Sequence, residues 1–208
     1  MSAGQPRALV LAAGQGRRFG GAKLHALYRG RPLLQHVLDV VALARTGGLI
    51  QGGYVVVGPG DDRARTLSHG AGLDTIINEA PEHGLSHSLR LGLAAIEGSN
   101  PGDSAAALVF LGDQPLVRLD VIEALVARWT QGGGKIIRPR YQESPEVPGH
   151  PALLARTVWH MVDRLQGDSG FALLLDSSSL DTLTVNVPGD NPDIDTRADL
   201  LGLEEASR

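Results

Sequence analysis

"LAAGQGRRFGGAK", Leu11 to Lys23, decides how the rest of the chain is read. Glycines at 14, 16, 20 and 21 leave the backbone bare, while Arg17, Arg18 and Lys23 load the same short stretch with positive charge. The residues before it, Ala8-Leu9-Val10-Leu11, form a short apolar run of the buried-strand type. A strand therefore runs straight into a glycine-rich, cationic loop. Such a loop suits phosphate, because glycines let main-chain N–H groups approach oxygen closely and Arg and Lys neutralise the charge.

Two familiar phosphate templates do not fit it. A P-loop needs Lys followed by Ser or Thr, and Lys23 precedes Leu24. A dinucleotide fingerprint starts with Gly14 and Gly16, but Phe19 stands where the third glycine belongs, and no acid follows at the end of a second strand.

Outward from the loop, strands and helices alternate. "RPLLQHVLDVVALARTGG" predicts an amphipathic helix, with Pro32 at its first position and Gly47-Gly48 as its stop. Strands are expected at Gly53–Gly60, Thr75–Asn78, Ala105–Leu111, "GKIIRPRY" and Thr182–Val187. Helices are expected at Ser86–Ile96, "VRLDVIEALVARW", Thr157–Leu165 and Gly170–Leu175, and "QESPEVPGHP" reads as a loop. This alternation implies an α/β fold with a mostly parallel sheet, which binds ligands at the carboxyl ends of its strands.

Composition narrows the function. The 208 residues suit one domain. The absence of cysteine removes disulfides, thiolate metal sites and a Cys nucleophile. A net charge of −4 argues against a nucleic-acid partner, and the positive charge gathered between residues 17 and 31 suits a small anionic ligand. No apolar run is long enough for a membrane span, and the N-terminus shows no signal-peptide pattern.

Four later segments carry further chemistry. "LGDQPLV" puts Asp113 at a strand end, where it reads either as a metal ligand or as a turn residue. "DIDTRADL" offers Asp193, Asp195 and Thr196 just before a helix, so one of them caps it and another is free for a metal. "GHP" holds His150 and "LQGDSG" holds Asp168, each open as a ligand-binding or an ordinary surface or capping residue. "GDSG" matches a serine-protease motif without the β-barrel that motif needs, and His83 and His87 in "HGLSH" lack a third metal ligand.

In this order the segments resemble the nucleotidylyltransferases of the nucleotide-diphospho-sugar transferase fold, whose loop signature is L-A-A-G-x-G-x-R-M-G-x-x-K. Phe19 replaces the Met; Arg18 and Lys23 fall on phosphate-binding positions and Arg17 on a variable one. "GLSHSLRLGL" is similar to the segment near base and ribose, with Ser88 and Gly92 on matching positions. "GHP", "LQGDSG" and "DIDTRADL" resemble the MobA-like branch, and within it the molybdenum cofactor cytidylyltransferase (MocA) type.

The resemblance implies a Rossmann-like three-layer sandwich with a mostly parallel mixed sheet, one domain over 1–208, and an acceptor-binding excursion near 140–180. It implies a nucleotide held by Leu11, Ala12, Ala13, Gly14, Gly16, Arg18, Lys23, Gly84 and Ser88, with Arg18, Lys23 and Asp113 catalytic. Mg²⁺ would sit on Asp113 and Asp195, and the acceptor near His150 and Asp168. The implied reaction moves CMP from CTP to molybdopterin, releasing pyrophosphate, in the cytoplasm, with a molybdenum hydroxylase as client. GTP in place of CTP, another phosphomonoester as acceptor, and a non-catalytic maturation factor are the alternatives. Relatives that carry L-A-G-G tend to use GTP; Ala13 points to the smaller pyrimidine.

Overall fold

The computed structural model describes residues 4–99, 104–132, 134–165, 167 and 181–206. Its centre is β1 (Arg7–Ala12), paired in parallel on one side with β4 (Gly53–Val57) and on the other with β6 (Ala106–Leu111). A seven-stranded sheet extends from it in the order β5-β4-β1-β6-β8-β7-β9, with β5 at Asp74–Ile77, β7 at Ile136–Tyr141, β8 at Ala152–Ala155 and β9 at Thr182–Val187. β8 runs antiparallel to both β6 and β7, which makes the sheet mixed. A two-stranded hairpin, β2 (Leu27–Tyr28) and β3 (Arg31–Pro32), stands apart from it.

Helices cover both faces, which is why β1 is apolar at every position from Ala8 to Ala12 rather than at alternate ones. Ala8, Val10 and Ala12 join the core beneath α1 (Leu33–Thr46), α2 (Asp62–Gly70) and α4 (Leu119–Thr130). Leu9, Leu11 and Ala13 point the other way, into a second core with α3 (Leu85–Ser99) and a 3-10 segment at Arg156–Arg164. Gly92 lets α3 lie down on β1: a Cβ there would sit 2.2 Å from Leu9 Cδ1. The last helix is α5 (Arg197–Ala206).

Four local expectations change. Pro32 does not open α1; it pairs with Leu27 in the hairpin and the helix begins at Leu33. Residues 62–70 form a helix that its polar composition hides, since Ala64 and Ser68 are its buried positions. The end of the "GHP" loop leads directly into β8, a four-residue strand too short to show a period. The segment from 156 to 164 is helical, but with 3-10 rather than α geometry. The helix expected at Gly170–Leu175 lies outside the described residues.

The chain leaves β1 for α1 and β4 on one side, and β6 flanks it on the other. The carboxyl end of β1 is therefore the switch point of the sheet, where a crevice opens between diverging connections. The glycine-rich loop begins there.

Candidate active site

The loop after β1 is held by its own backbone. Gly16 takes a left-handed conformation at φ 59°, and its carbonyl accepts the N–H groups of Phe19 and Gly21, both at 3.0 Å. A side chain at position 16 would be strained by that φ and would meet Lys23 Cβ at 3.0 Å. Phe19, which broke the dinucleotide pattern, is the loop's anchor: it is buried with Tyr28, Leu33 and Ile194. Through Ile194 the loop is bound to the "DID" segment far along the chain. The Ile194 N–H in turn donates to the Asp113 carbonyl at 3.2 Å. Two buried contacts thus bring three distant motifs to one place.

Their side chains converge on Lys23. Its Nζ lies 2.5 Å from Asp113 Oδ2 and 3.2 Å from Asp195 Oδ1. Arg18 reaches the other oxygen of Asp195 at 3.0 Å while its own side chain stays largely exposed. Burial works to lower the Lys23 pKa, but the Asp113 and Asp195 carboxylates together outweigh it, and the net shift is upward. The ammonium is firmly charged.

These residues wall a cavity of about 580 Å³. One part is formed by Leu11, Ala12, Ala13, Gly14, Gly16, Arg18 and Lys23 with Asp113 and Asp195; Gly84 and Ser88 come from the turn before α3 and from its first turns. Eleven of the residues singled out from the sequence are therefore brought together. Gly92 is not among them, because its place is taken up by Leu9. His150 does not line this cavity either. Its carbonyl accepts Tyr141 Oη at 2.8 Å and Asn191 Nδ2 at 3.3 Å, and burial, with Arg138 nearby, lowers its ring pKa to about 3. Asp168 lies outside the described residues.

One further site residue is named by the sequence only as a choice between cap and metal ligand. Asp193 also lines the cavity. Although the residue is open to solvent on one side, desolvation of its carboxyl, and then the charges of Asp113 and Asp195, raise its pKa to about 6. A signal for it exists: in an extended D-I-D segment, burying the central Ile turns both acids to the opposite face. The capping question at α5 also resolves. Thr196 Oγ1 accepts the Asp199 N–H at 3.2 Å and Asp199 Oδ2 accepts the Thr196 N–H at 2.7 Å, a reciprocal cap that leaves Asp193 and Asp195 to the cavity.

The two carboxylates that meet at Lys23 Nζ come from the turn after β6 and from the segment just before α5, and a small hard cation fits them. Among the described residues no group of three or more His, Cys, Asp or Glu side chains forms a metal site. A two-carboxylate site is what Mg²⁺ ordinarily uses, since it retains several waters. His83 and His87 stack edge to face at 5.3 Å without a third ligand among the described residues.

A cationic, glycine-rich loop facing two carboxylates at the switch point of a doubly wound sheet defines a nucleotide-binding α/β protein of the nucleotidyltransferase class. The chain belongs to the MobA-like NTP transferase domain family, whose profile matches residues 8–183. Rv0371c from Mycobacterium tuberculosis H37Rv is similar along nearly the whole chain: 29% identity, TM-score 0.81, covering 97% of this chain and 98% of that one. A second structure of that protein is a complex with manganese, at 28% identity and TM-score 0.79. Molybdopterin-guanine dinucleotide biosynthesis protein A from Archaeoglobus fulgidus shares the fold at 20% identity and TM-score 0.66, over 97% and 98% of the two chains. Bifunctional protein GlmU from Bordetella petrii is 34% identical over 128 residues, 60% of this chain and 26% of its own length. The chain thus spans about a quarter of the GlmU proteins it matches. No helix among the described residues is long and apolar enough to cross a membrane.

Proposed function

We propose that this protein transfers CMP from CTP to molybdopterin and releases pyrophosphate. The observation that carries the transfer reading is the meeting of Lys23, Asp113 and Asp195 beneath the loop, within one cavity. Both substrates of a nucleotidyl transfer are anions, so the barrier is largely electrostatic. The chain supplies positioned charge for it and needs no nucleophile of its own: a phosphate oxygen of the acceptor attacks the α-phosphorus, and pyrophosphate leaves.

Each residue has a part. Main-chain N–H groups between Gly14 and Arg18 hold the triphosphate, those of Phe19 and Gly20 being taken by carbonyls within the loop. Arg18, exposed at the mouth, meets the outer phosphates first. Lys23 neutralises the pyrophosphate leaving group. Asp113 and Asp195 would hold Mg²⁺, which would neutralise charge building on the phosphoryl oxygens. Lys23 balances the two carboxylates, and a divalent cation held by them would free its ammonium for phosphate oxygens.

Two features support the particular substrates. Ala13 lines the cavity where the loop begins, and a residue larger than glycine at that position suits a pyrimidine better than a purine. Membership of the MobA-like family, with "GHP" and "LQGDSG" in sequence, supports molybdopterin as acceptor and a molybdenum hydroxylase as recipient, with His150 and Asp168 near the acceptor. Pyrophosphate release from CTP, with and without molybdopterin, tests the reading. Release that requires both supports it; CTP binding without turnover in the presence of acceptor and Mg²⁺ would favour a non-catalytic carrier.

A further inference from the structure

Asn78 directly follows β5 and is fully buried. Its backbone N–H donates to the Val57 carbonyl at 2.8 Å, and its side chain makes two further bonds. Oδ1 accepts the Ala80 N–H at 3.0 Å, and Nδ2 donates to Ser88 Oγ at 2.9 Å. The direction of these bonds is forced. A backbone N–H can only donate, so the amide oxygen must face Ala80; the nitrogen then faces Ser88 and can only donate to it.

Ser88 Oγ is therefore an acceptor in that bond, and its own proton is left to be given elsewhere. Serines within helices commonly return that proton to the preceding turn, as Ser68 does to the Ala64 carbonyl at 2.7 Å. Ser88 does not: among the described residues its hydroxyl proton has no acceptor. Yet Ser88 is only 5% exposed, and it faces the cavity. It stands in the wall formed by Pro81, Glu82, Gly84 and Leu85, which carries no Lys or Arg. A triphosphate lying on the cationic loop finds no positive charge on that wall and leaves it to the base.

We propose that Asn78 is a positioning residue for base recognition. It fixes Ser88 Oγ as an acceptor, so that the Ser88 O–H is presented as a donor to a carbonyl oxygen of the base. In CTP that atom is O2 of cytosine, and the inference rests on the CTP reading above. The same amide holds the Ala80 turn, so one buried side chain sets both the wall and the polarity of its hydroxyl.

A double-mutant cycle with CTP tests this. Asn78→Asp keeps the acceptor for Ala80 but turns the other atom from donor to acceptor. At pH 8 the two hydrogen-bond donors facing the new carboxyl favour its ionised form. Ser88 must then donate to that carboxylate and turn its lone pairs to the base. Calorimetry should show Kd for CTP raised about tenfold in Ser88→Ala and at least as much in Asn78→Asp, one hydrogen bond's worth. In the Ser88→Ala background, Asn78→Asp should cost nothing further. An equal loss in both backgrounds would mean that Asn78 only shapes the turn, and the proposal falls. A second measurement needs no Asn78 variant: 2-thio-CTP, whose sulfur is a poor acceptor, should bind about tenfold more weakly than CTP to the wild type and equally to Ser88→Ala. Equal binding of the two nucleotides by the wild type overturns the inference. A wild-type preference for GTP would overturn the cytidylyl reading instead, and the Asn78–Ser88 coupling is read independently of it.

Discussion

Replacing Lys23 by Met removes the cation that two carboxylates share. Its side chain is 11% exposed, against 20% for Asp113 and 31% for Asp195, so the cluster is neither a surface pair nor a fully buried one. Exposed pairs contribute up to about 1 kcal/mol, whereas breaking a fully buried pair costs about 3–5 kcal/mol. A value of about 2 kcal/mol is expected here, which in a chain of this size lowers Tm by roughly 4–8 °C. With Lys23 gone, Asp113 and Asp195 face each other with Asp193 close by, and Arg18 holds only the outer oxygen of Asp195. Divalent cation should then restore what the lysine supplied. Differential scanning fluorimetry with and without millimolar MnCl₂ or MgCl₂ reads this directly. The variant should gain several degrees more than the wild type, because in the wild type the cation must displace the ammonium. Equal shifts in the two proteins would refute the idea that lysine and cation share these carboxylates. In the same variant, CTP affinity should fall strongly and CMP affinity little; equal losses would move Lys23 away from the pyrophosphate.

Asp113→Asn should lower kcat about a hundredfold or more, roughly 3 kcal/mol of transition-state stabilisation, with a smaller change in nucleotide affinity; near-normal turnover at saturating Mg²⁺ would remove Asp113 from the mechanism. Asp193 titrates upward in the folded protein, to about 6 from 3.8, so the folded state binds the extra proton between those values and loses stability as pH rises through that window. Asp193→Asn should therefore raise Tm at pH 8 relative to the wild type, and raise it less at pH 4; an equal effect at both pH values would contradict the assignment. Ala13→Gly should reduce the preference for CTP over GTP in competition assays while keeping activity, by a factor within the range of about 1–3 kcal/mol that a single methyl commands. An unchanged ratio would place base choice elsewhere.

The loop, its strand, and the residues Arg18, Lys23 and Asp113 were legible because their signal is local: a few positions of bare backbone and charge beside an apolar run. Asp195 was legible only as one of several acids, since sequence does not say which residue caps α5. The reciprocal Thr196–Asp199 cap decides it, and that pattern was readable in "TRAD". Asp193 was legible only among the capping candidates and Asn78 not at all, for different reasons. Asp193 depends on Ile194 being buried against Phe19, a contact across most of the chain. Asn78 depends on the end of an edge strand meeting a helix ten residues later. β8 escaped because four apolar residues after a proline-rich loop carry no period, and α2 because a mostly solvated helix lacks an apolar stripe wide enough to see.

The central claim is tested most directly by mass spectrometry of the product formed from molybdopterin and each of the four nucleoside triphosphates, with Mg²⁺ and pyrophosphate detection in parallel. The account predicts one adduct, molybdopterin joined to CMP, formed from CTP with stoichiometric pyrophosphate. An adduct from GTP alone would contradict the cytidylyl assignment, and the absence of any nucleotidyl adduct with all four triphosphates would contradict transfer to molybdopterin itself.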